Sequence, residues 1–128
     1  MKNLKKVETR SSIIEQLDGG ILKVIRKKGV EMVSADLEEL LMIYQELLKN
    51  EQGKFLLMVD NDCESEFDFI AKMADPKREK VKKAEAIIVH SLGKRLEANF
   101  YIKKYKPEHP VAIFSTEQEG LDWLRAIK

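Results

Sequence analysis

The chain has 128 residues and a mass of 14.8 kDa, which is the size of one domain. Its 23 Lys and Arg side chains face 22 Asp and Glu side chains, so the net charge of +1 lacks the positive excess that binding to a phosphate backbone requires. A hydrophobic share of 44% is enough for one core, and the one cysteine excludes an internal disulfide, as is typical of a reducing compartment.

The apolar runs are too short for a membrane-spanning helix. The longest, residues 40–44 and 55–59, have five residues each, whereas about 20 are needed to cross a bilayer. The basic start at 1–6 is followed by polar residues and not by the apolar region of a secretory signal peptide. We therefore expect a soluble, cytoplasmic protein without membrane insertion.

The N-terminal residues predict a β-hairpin. Residues 11–17 and 21–26 are rich in residues that favour strands. The Asp-Gly-Gly sequence at 18–20 between them is typical of a tight turn, because glycine adopts a positive φ without strain. Residues 1–10 are expected to form a loose N-terminal arm.

A helix and a buried strand follow the hairpin. Leucines at helical spacing predict an amphipathic helix that has Ser34 as its N-cap and ends at residues 50–53. The continuous apolar run at 55–59 predicts a strand that is covered on both faces. A second helical pattern occupies 67–74, and residues 77–83 are consistent with a short helical turn.

Residues 86–89 predict the next buried strand, and a helix follows from residue 91 or 92 to residue 106. In this helix Leu92, Leu96 and Phe100 align on one side. We expect Leu96 and Phe100 to belong to the core.

The last strand and helix complete an α/β pattern. Residues 111–114 predict the strand, and Thr116 and Glu119 match a capping box at the start of the final helix. The order ββαβαβαβα predicts one domain over residues 1–128, with a mixed, mostly parallel sheet of about five strands, an N-terminal β-hairpin and four main helices.

The acidic turn after the strand at 55–59 is the first candidate site, because ligands of open α/β sheets lie at the carboxyl ends of strands. Asp60 and Asp62 form a D-x-D motif, which resembles the site of haloacid-dehalogenase-type phosphatases, although their second acidic pair is absent downstream. A solvated acidic turn at a helix start explains Asp60, Asp62 and Glu64 more simply. We predict neither a metal site nor a cofactor.

His90 and Ser91 follow the strand at 86–89 and form the second candidate site. Neighbouring residues of a strand point to opposite faces, so a strand-end histidine beside an N-cap serine explains both better than a catalytic pair does. His109 is interpreted as a surface residue of a turn. Cys63 has acidic neighbours that disfavour a thiolate, so we predict no catalytic cysteine.

Phe69 and Met73 indicate a possible contact surface. They lie four residues apart and about 100° away from the predicted core stripe, which fits either a wide core stripe or a contact between copies. Acids gather at 60–68 and bases at 77–83. This segregation favours a complementary protein partner over nucleic acid, and a dimer of this chain is the expected assembly.

Three segments carry a resemblance to a known fold: the strand at 53–60, the Ala-x-x-Val-x-Ser segment at 86–91 and the Pro-Val-x-Ile-Phe-x-Thr ending that runs on to Leu-x-Trp-Leu at 110–124. Together with the order of elements, they make the chain resemble the SpoIIAA-like (STAS) fold. This is the fold of bacterial anti-sigma-factor antagonists and of many short uncharacterised bacterial proteins. In the antagonists a serine after the central strand is phosphorylated, so the resemblance implies Ser65 as the candidate phosphoacceptor.

The resemblance implies a non-catalytic regulatory domain that acts through protein–protein contacts and needs no cofactor. Two alternatives stay open: a small-ligand or lipid-binding module, and a Mg²⁺-dependent phosphoryl enzyme that uses Asp60 and Asp62. The candidate partner or ligand surface comprises Asp60, Asp62, Glu64, Phe69, Met73, His90 and Ser91.

Overall fold

The computed structural model describes residues 4–59 and 80–127, which form one sheet with helices on both of its faces. The strands are β1 (Lys6–Glu8), β2 (Ser12–Leu17), β3 (Ile21–Arg26), β4 (Gly53–Met58), β5 (Lys82–Ile88) and β6 (Val111–Phe114). The helices of these residues are α1 (Ser34–Leu47), α2 (Leu92–Tyr105) and α3 (Glu117–Ala126). None of these helices is both long and apolar enough to cross a membrane. The helix predicted at 67–74 lies outside the described residues.

The sheet is mixed, and its strands lie side by side in chain order from β1 to β6. The pairs β1–β2 and β2–β3 are antiparallel, whereas β3, β4, β5 and β6 run parallel to one another. Parallel neighbours need a crossover connection, and α1 and α2 supply two of these. The α/β class is therefore confirmed, with six strands in place of about five.

The predicted hairpin is formed by β2 and β3, which pair from Ser12 with Arg26 to Leu17 with Ile21. Gly19 and Gly20 in the turn have φ angles of +84° and +73°. Residues with a side chain rarely adopt a positive φ, whereas glycine does so freely. The two glycines therefore allow the tight turn that sets the pairing of β2 with β3.

The N-terminal arm is not loose in its described part. Residues 6–8 form β1, antiparallel to β2. Arg10 then donates hydrogen bonds to a carboxylate oxygen of Asp36 at 3.1 Å and to the carbonyl of Glu31 at 2.7 Å. A strand of three residues is too short to show an alternating pattern, which is why the sequence predicts only an arm.

Helix α1 begins at Ser34, so the prediction of Ser34 as the N-cap is wrong. The N-cap residue is Val33, and its backbone N–H donates to a carboxylate oxygen of Asp36 at 2.8 Å. The carboxylate of Asp36, in the first turn of α1, therefore provides the hydrogen-bond acceptor for the backbone N–H of the N-cap residue. The hydrogen bond from Arg10 lowers the pKa of the Asp36 carboxyl and keeps it a good acceptor.

Alternation along the strands divides the apolar side chains between two cores. Phe55 and Leu57 of β4 face α1 and α2, where the ring of Tyr44 packs edge-on against Phe55 with centroids 4.8 Å apart. Leu56 points the other way and packs in the core that contains Leu124 of α3. β4 is covered on both faces, as its continuous apolar run predicts.

Two local features place α3 against the sheet. The Thr116 hydroxyl oxygen accepts a hydrogen bond from the backbone N–H of Glu119 at 3.2 Å, which confirms Thr116 as the N-cap. The predicted capping box is only half formed, because the Glu119 carboxylate accepts from the Thr116 hydroxyl and not from its backbone N–H. Gly120 lets the helix approach closely, because a Cβ there would lie 2.7 Å from Cδ1 of Ile88 and 2.9 Å from Cδ1 of Leu56.

Strand β5 begins at Lys82, before the predicted start at residue 86. Lys82 and Lys83 therefore belong to a strand and not to the helical turn predicted at 77–83. The charged residues Lys82 and Glu85 conceal the strand in the sequence, because buried strands are normally apolar. Both are nonetheless buried in the fold.

Candidate functional site

Most of the predicted site residues lie outside the described residues, so their roles stay predictions. They include the acidic turn, the candidate phosphoacceptor and the apolar flank. These residues are Asp60, Asp62, Cys63, Glu64, Ser65, Phe69 and Met73. Within residues 4–59 and 80–127, no three His, Cys, Asp or Glu side chains are placed to hold a metal ion.

His90 and Ser91 lie in the connection between β5 and α2. His90 is exposed to solvent. The Ser91 hydroxyl oxygen accepts a hydrogen bond from the backbone N–H of Lys94 at 3.1 Å, so Ser91 is the N-cap of α2, as predicted. The geometry gives Ser91 a structural function at the start of this helix.

Helix α2 buries small and polar side chains and exposes large apolar ones. Its buried residues are Lys94, Ala98 and Tyr101. The side chains exposed by 72%, 59% and 58% are Leu92, Leu96 and Phe100, respectively. We call these three residues the outer face of α2. The prediction that Leu96 and Phe100 belong to the core is wrong.

Helical geometry explains this reversal. Leu96 lies two positions before Ala98 and therefore about 160° from it around the helix axis, so the two residues cannot share a face. Ala98 is fully buried, and its small side chain lets α2 lie close to the sheet. The helical spacing of Ala98, Tyr101 and Ile102 does predict this inner side of α2. The pattern is weaker than that of the leucines, because the leucine side chains are larger than that of alanine.

Basic side chains surround the C-terminal half of the outer face. Lys103 and Lys104 lie in the last turn of α2, and Lys106 is its C-cap. Nζ of Lys104 lies 5.5 Å from the ring centroid of Phe100 and 5.4 Å from that of Tyr105, within the range of cation–π attraction. Across the described parts of the chain, no acid forms an ion pair with any of these three lysines.

The acid next to Leu96 in the sequence is paired within the helix. Glu97 accepts a hydrogen bond from Nζ of Lys94 at 3.1 Å. On the other flank, Arg95 donates to the hydroxyl of Ser115 at 2.7 Å and keeps its charge. The described residues around the outer face therefore carry a net positive charge.

A buried charge cluster forms a second notable site, and the sequence does not reveal it. Glu85 accepts a hydrogen bond from Nζ of Lys82 at 3.3 Å, and Nε2 of His109 lies 3.5 Å from the other carboxylate oxygen of Glu85. Lys82, Glu85 and His109 are all buried. The prediction of a surface position for His109 is wrong, because the turn before β6 folds back onto β5, where the Glu85 N–H bonds to the Pro110 carbonyl at 2.9 Å.

The Glu85 carboxyl stays ionised despite its burial. Burial alone raises the pKa of Glu85, but the charge of Lys82 and the hydrogen bond and charge of His109 together outweigh it and lower the pKa to about 2. A group with this pKa is a poor proton donor or acceptor near pH 7. The cluster thus joins β5 to the turn before β6, and its carboxylate is not suited to proton transfer near pH 7.

The cluster borders a small cleft between α1 and the sheet. The described apolar residues of its lining are Val24, Phe55 and Leu57. The described polar residues of its lining are Arg26, Tyr44, Lys82 and Glu85. The empty space is about 290 Å³ with the solvent-filled mouth included, and the enclosed part has room for about one water molecule.

The fold and the two sites define a small α/β domain with a mixed sheet and an exposed apolar helix face. The chain belongs to the family described as "Domain of unknown function (DUF7793)", which matches residues 15–128. Among solved structures, it is similar to a protein of unknown function from Arthrobacter sp. FB24, with 20% sequence identity, 90% of this chain and 99% of that chain covered, and a TM-score of 0.35. No curated protein matches the sequence.

Proposed function

We propose that this chain is a non-catalytic, STAS-like protein-interaction domain that contacts its partner through the outer face of α2. The observation that carries this proposal is the row of three large apolar side chains that α2 exposes while its opposite side lies in the core. Exposed apolar patches are typical of surfaces that another molecule covers.

The fold makes the outer face a preformed surface. Ala98 and Tyr101 fix the inner side of α2 in the core, and Ser91 caps its start. Because the helix is already ordered, binding does not carry the entropic penalty of ordering its backbone. This rigidity supports a function in recognition.

Two further features support the proposal. The mixed sheet, which starts with an antiparallel hairpin and continues in parallel strands, is compatible with a STAS-like fold. The low pKa of Glu85 supports a structural function for this carboxylate in the buried charge cluster. Phosphorylation of Ser65 and a cytoplasmic location stay predictions.

The two alternatives from the sequence also stay predictions. The ligand-binding alternative needs a cavity, and the described cleft has room for about one water molecule. The phosphoryl-enzyme alternative depends on Asp60 and Asp62, which lie outside the described residues. The outer face of α2 therefore supports protein interaction best.

Photo-crosslinking in the cells that produce the full chain tests the proposal. A photoreactive phenylalanine analogue replaces Phe100 and, in a control, Met42, which is 69% exposed on α1. We expect a discrete adduct with another protein chain from position 100, its loss in the Leu96→Glu background, and no such adduct from position 42. Absence of an adduct at position 100, or equal adducts from both positions, would contradict the proposal.

A further inference from the structure

We infer that the partner of the outer face of α2 is an acidic amphipathic helix of another protein and not a second copy of this chain. This inference rests on the proposed function, because it names the partner of the same surface. It follows from the shape of the outer face and from the charges around it.

The shape of the outer face fits a helix. Leu92, Leu96 and Phe100 recur every four residues and form a ridge about 12 Å long. Ridges of residues four apart pack into the grooves of a neighbouring helix, which is the commonest type of helix contact in globular proteins. An apolar ridge on the partner would complete such a contact.

The positive charges around the ridge favour a partner with acidic residues. Lys103, Lys104 and Lys106 are exposed, and their combined charge exceeds the roughly half negative charge at a helix C-terminus. Glu97, which pairs with Lys94, is outnumbered by these three lysines. Asp or Glu side chains beside the partner's apolar ridge would complement these three lysines.

When α2 packs against α2 of a second copy, the described residues do not supply this complement. Two-fold packing of parallel α2 helices would bring Lys103, Lys104 and Lys106 of both copies together. Antiparallel packing would place each set beside the positive N-terminal end of the other helix. Both arrangements oppose like charges, so a different chain is favoured.

A membrane surface also fits the ridge less well than a helix does. Helices that lie on a bilayer carry a broad apolar face. The outer face of α2 is one side chain wide and is bordered by the exposed residues Glu97 and Asn99. A narrow ridge of this kind suits the groove of a helix.

Binding of designed peptides to the full chain tests the inference. Two labelled helical peptides of about five turns carry the same leucine ridge, flanked in one by Glu and in the other by Lys. By fluorescence anisotropy we expect the Glu-flanked peptide to bind at least about tenfold more tightly than the Lys-flanked one. The double variant Lys103→Glu/Lys104→Glu should reverse this preference. Leu96→Ala should weaken both peptides, and Met42→Ala should weaken neither.

Other outcomes would overturn the inference in distinguishable ways. Equal binding of both peptides would contradict the inference that the partner is acidic. It would not contradict the proposed function if position 100 still forms an adduct. A dimer in analytical ultracentrifugation that Leu96→Ala dissociates would identify a second copy as the partner. Binding to phosphatidylglycerol vesicles and to neither peptide, without an adduct at position 100, would contradict both this inference and the proposed function.

Discussion

The buried charge cluster and the outer face of α2 depart in opposite directions from the usual division of polar groups outside and apolar groups inside. In the cluster, Glu85 has both Lys82 and His109 within 3.5 Å, so the buried carboxylate is partnered inside the fold. On the outer face, Leu96 and Phe100 remain more than half exposed. The first departure is resolved within the chain, whereas for the second we propose that another molecule covers the exposed side chains.

This difference predicts separate consequences for mutation. Changes in the cluster should lower the stability of the fold, because a buried charge that loses its partner is strongly disfavoured. Changes on the outer face should leave stability nearly unchanged and affect binding. Each of the following experiments tests one side of this contrast, in order of decreasing effect on the free energy of unfolding.

The largest effect is expected for Glu85→Gln. The substitution keeps the shape of the side chain but leaves the buried Lys82 without its counter-ion, so we expect a loss of about 3–5 kcal/mol in the free energy of unfolding. Urea unfolding followed by circular dichroism measures it. The double variant Lys82→Met/Glu85→Leu serves as the control and should recover much of the loss, because a well-packed apolar pair can replace a buried ion pair. A loss below about 1 kcal/mol for Glu85→Gln would mean that the pairing contributes little.

The next effect is the pH dependence that Glu85 confers. Its pKa in the folded state is lowered from 4.5 to about 2 because the charge of Lys82 and the contact with His109 outweigh the opposing effect of burial. The stability that comes from this shift is complete above pH 4.5 and disappears as the pH falls towards 2, an amount of about 3 kcal/mol. The free-energy difference between the wild type and Glu85→Gln should therefore shrink over this range. A difference that stays constant from pH 6 down to about 2 would contradict the assignment.

Adjacent residues of α2 provide a smaller and internally controlled comparison. Tyr101 is 8% exposed and packs in the core, whereas Phe100 is 58% exposed. We expect Tyr101→Ala to reduce the free energy of unfolding by about 2–3 kcal/mol through the cavity it leaves. Phe100→Ala should change it by less than about 0.5 kcal/mol. Similar losses for both variants, measured by thermal and urea unfolding, would mean that the two sides of α2 are not distinct.

Local signals account for the parts of the fold that the sequence predicts. Glycines 19 and 20 require a turn, the run at 55–59 requires burial on both faces, and Ser91 and Thr116 cap helices with neighbours three residues away. Each of these depends on residues close in the chain. They account for three of the six strands and two of the three described helices.

The errors arise where partners are distant in the chain. Glu85 is tolerated in a buried strand because Lys82 and the distant His109, 24 residues later, both contact it. The orientation of α2 depends on how closely Ala98 approaches the sheet, which the spacing of leucines does not reveal. The spacing of Leu92, Leu96 and Phe100 therefore predicts an apolar stripe on α2 but does not indicate that this stripe faces solvent.

Leu96→Ala is expected to have the smallest effect on stability and a complete effect on binding. Leu96 is 59% exposed, so its truncation removes little buried area, and alanine is at least as good a helix former as leucine. We expect the free energy of unfolding to change by less than about 0.5 kcal/mol, as for Met42→Ala on α1. The adduct formed from position 100 should nevertheless disappear in Leu96→Ala and persist in Met42→Ala. A loss of more than about 1 kcal/mol for Leu96→Ala would show that this side chain contributes to the fold, and the contrast between the two sites would then no longer hold.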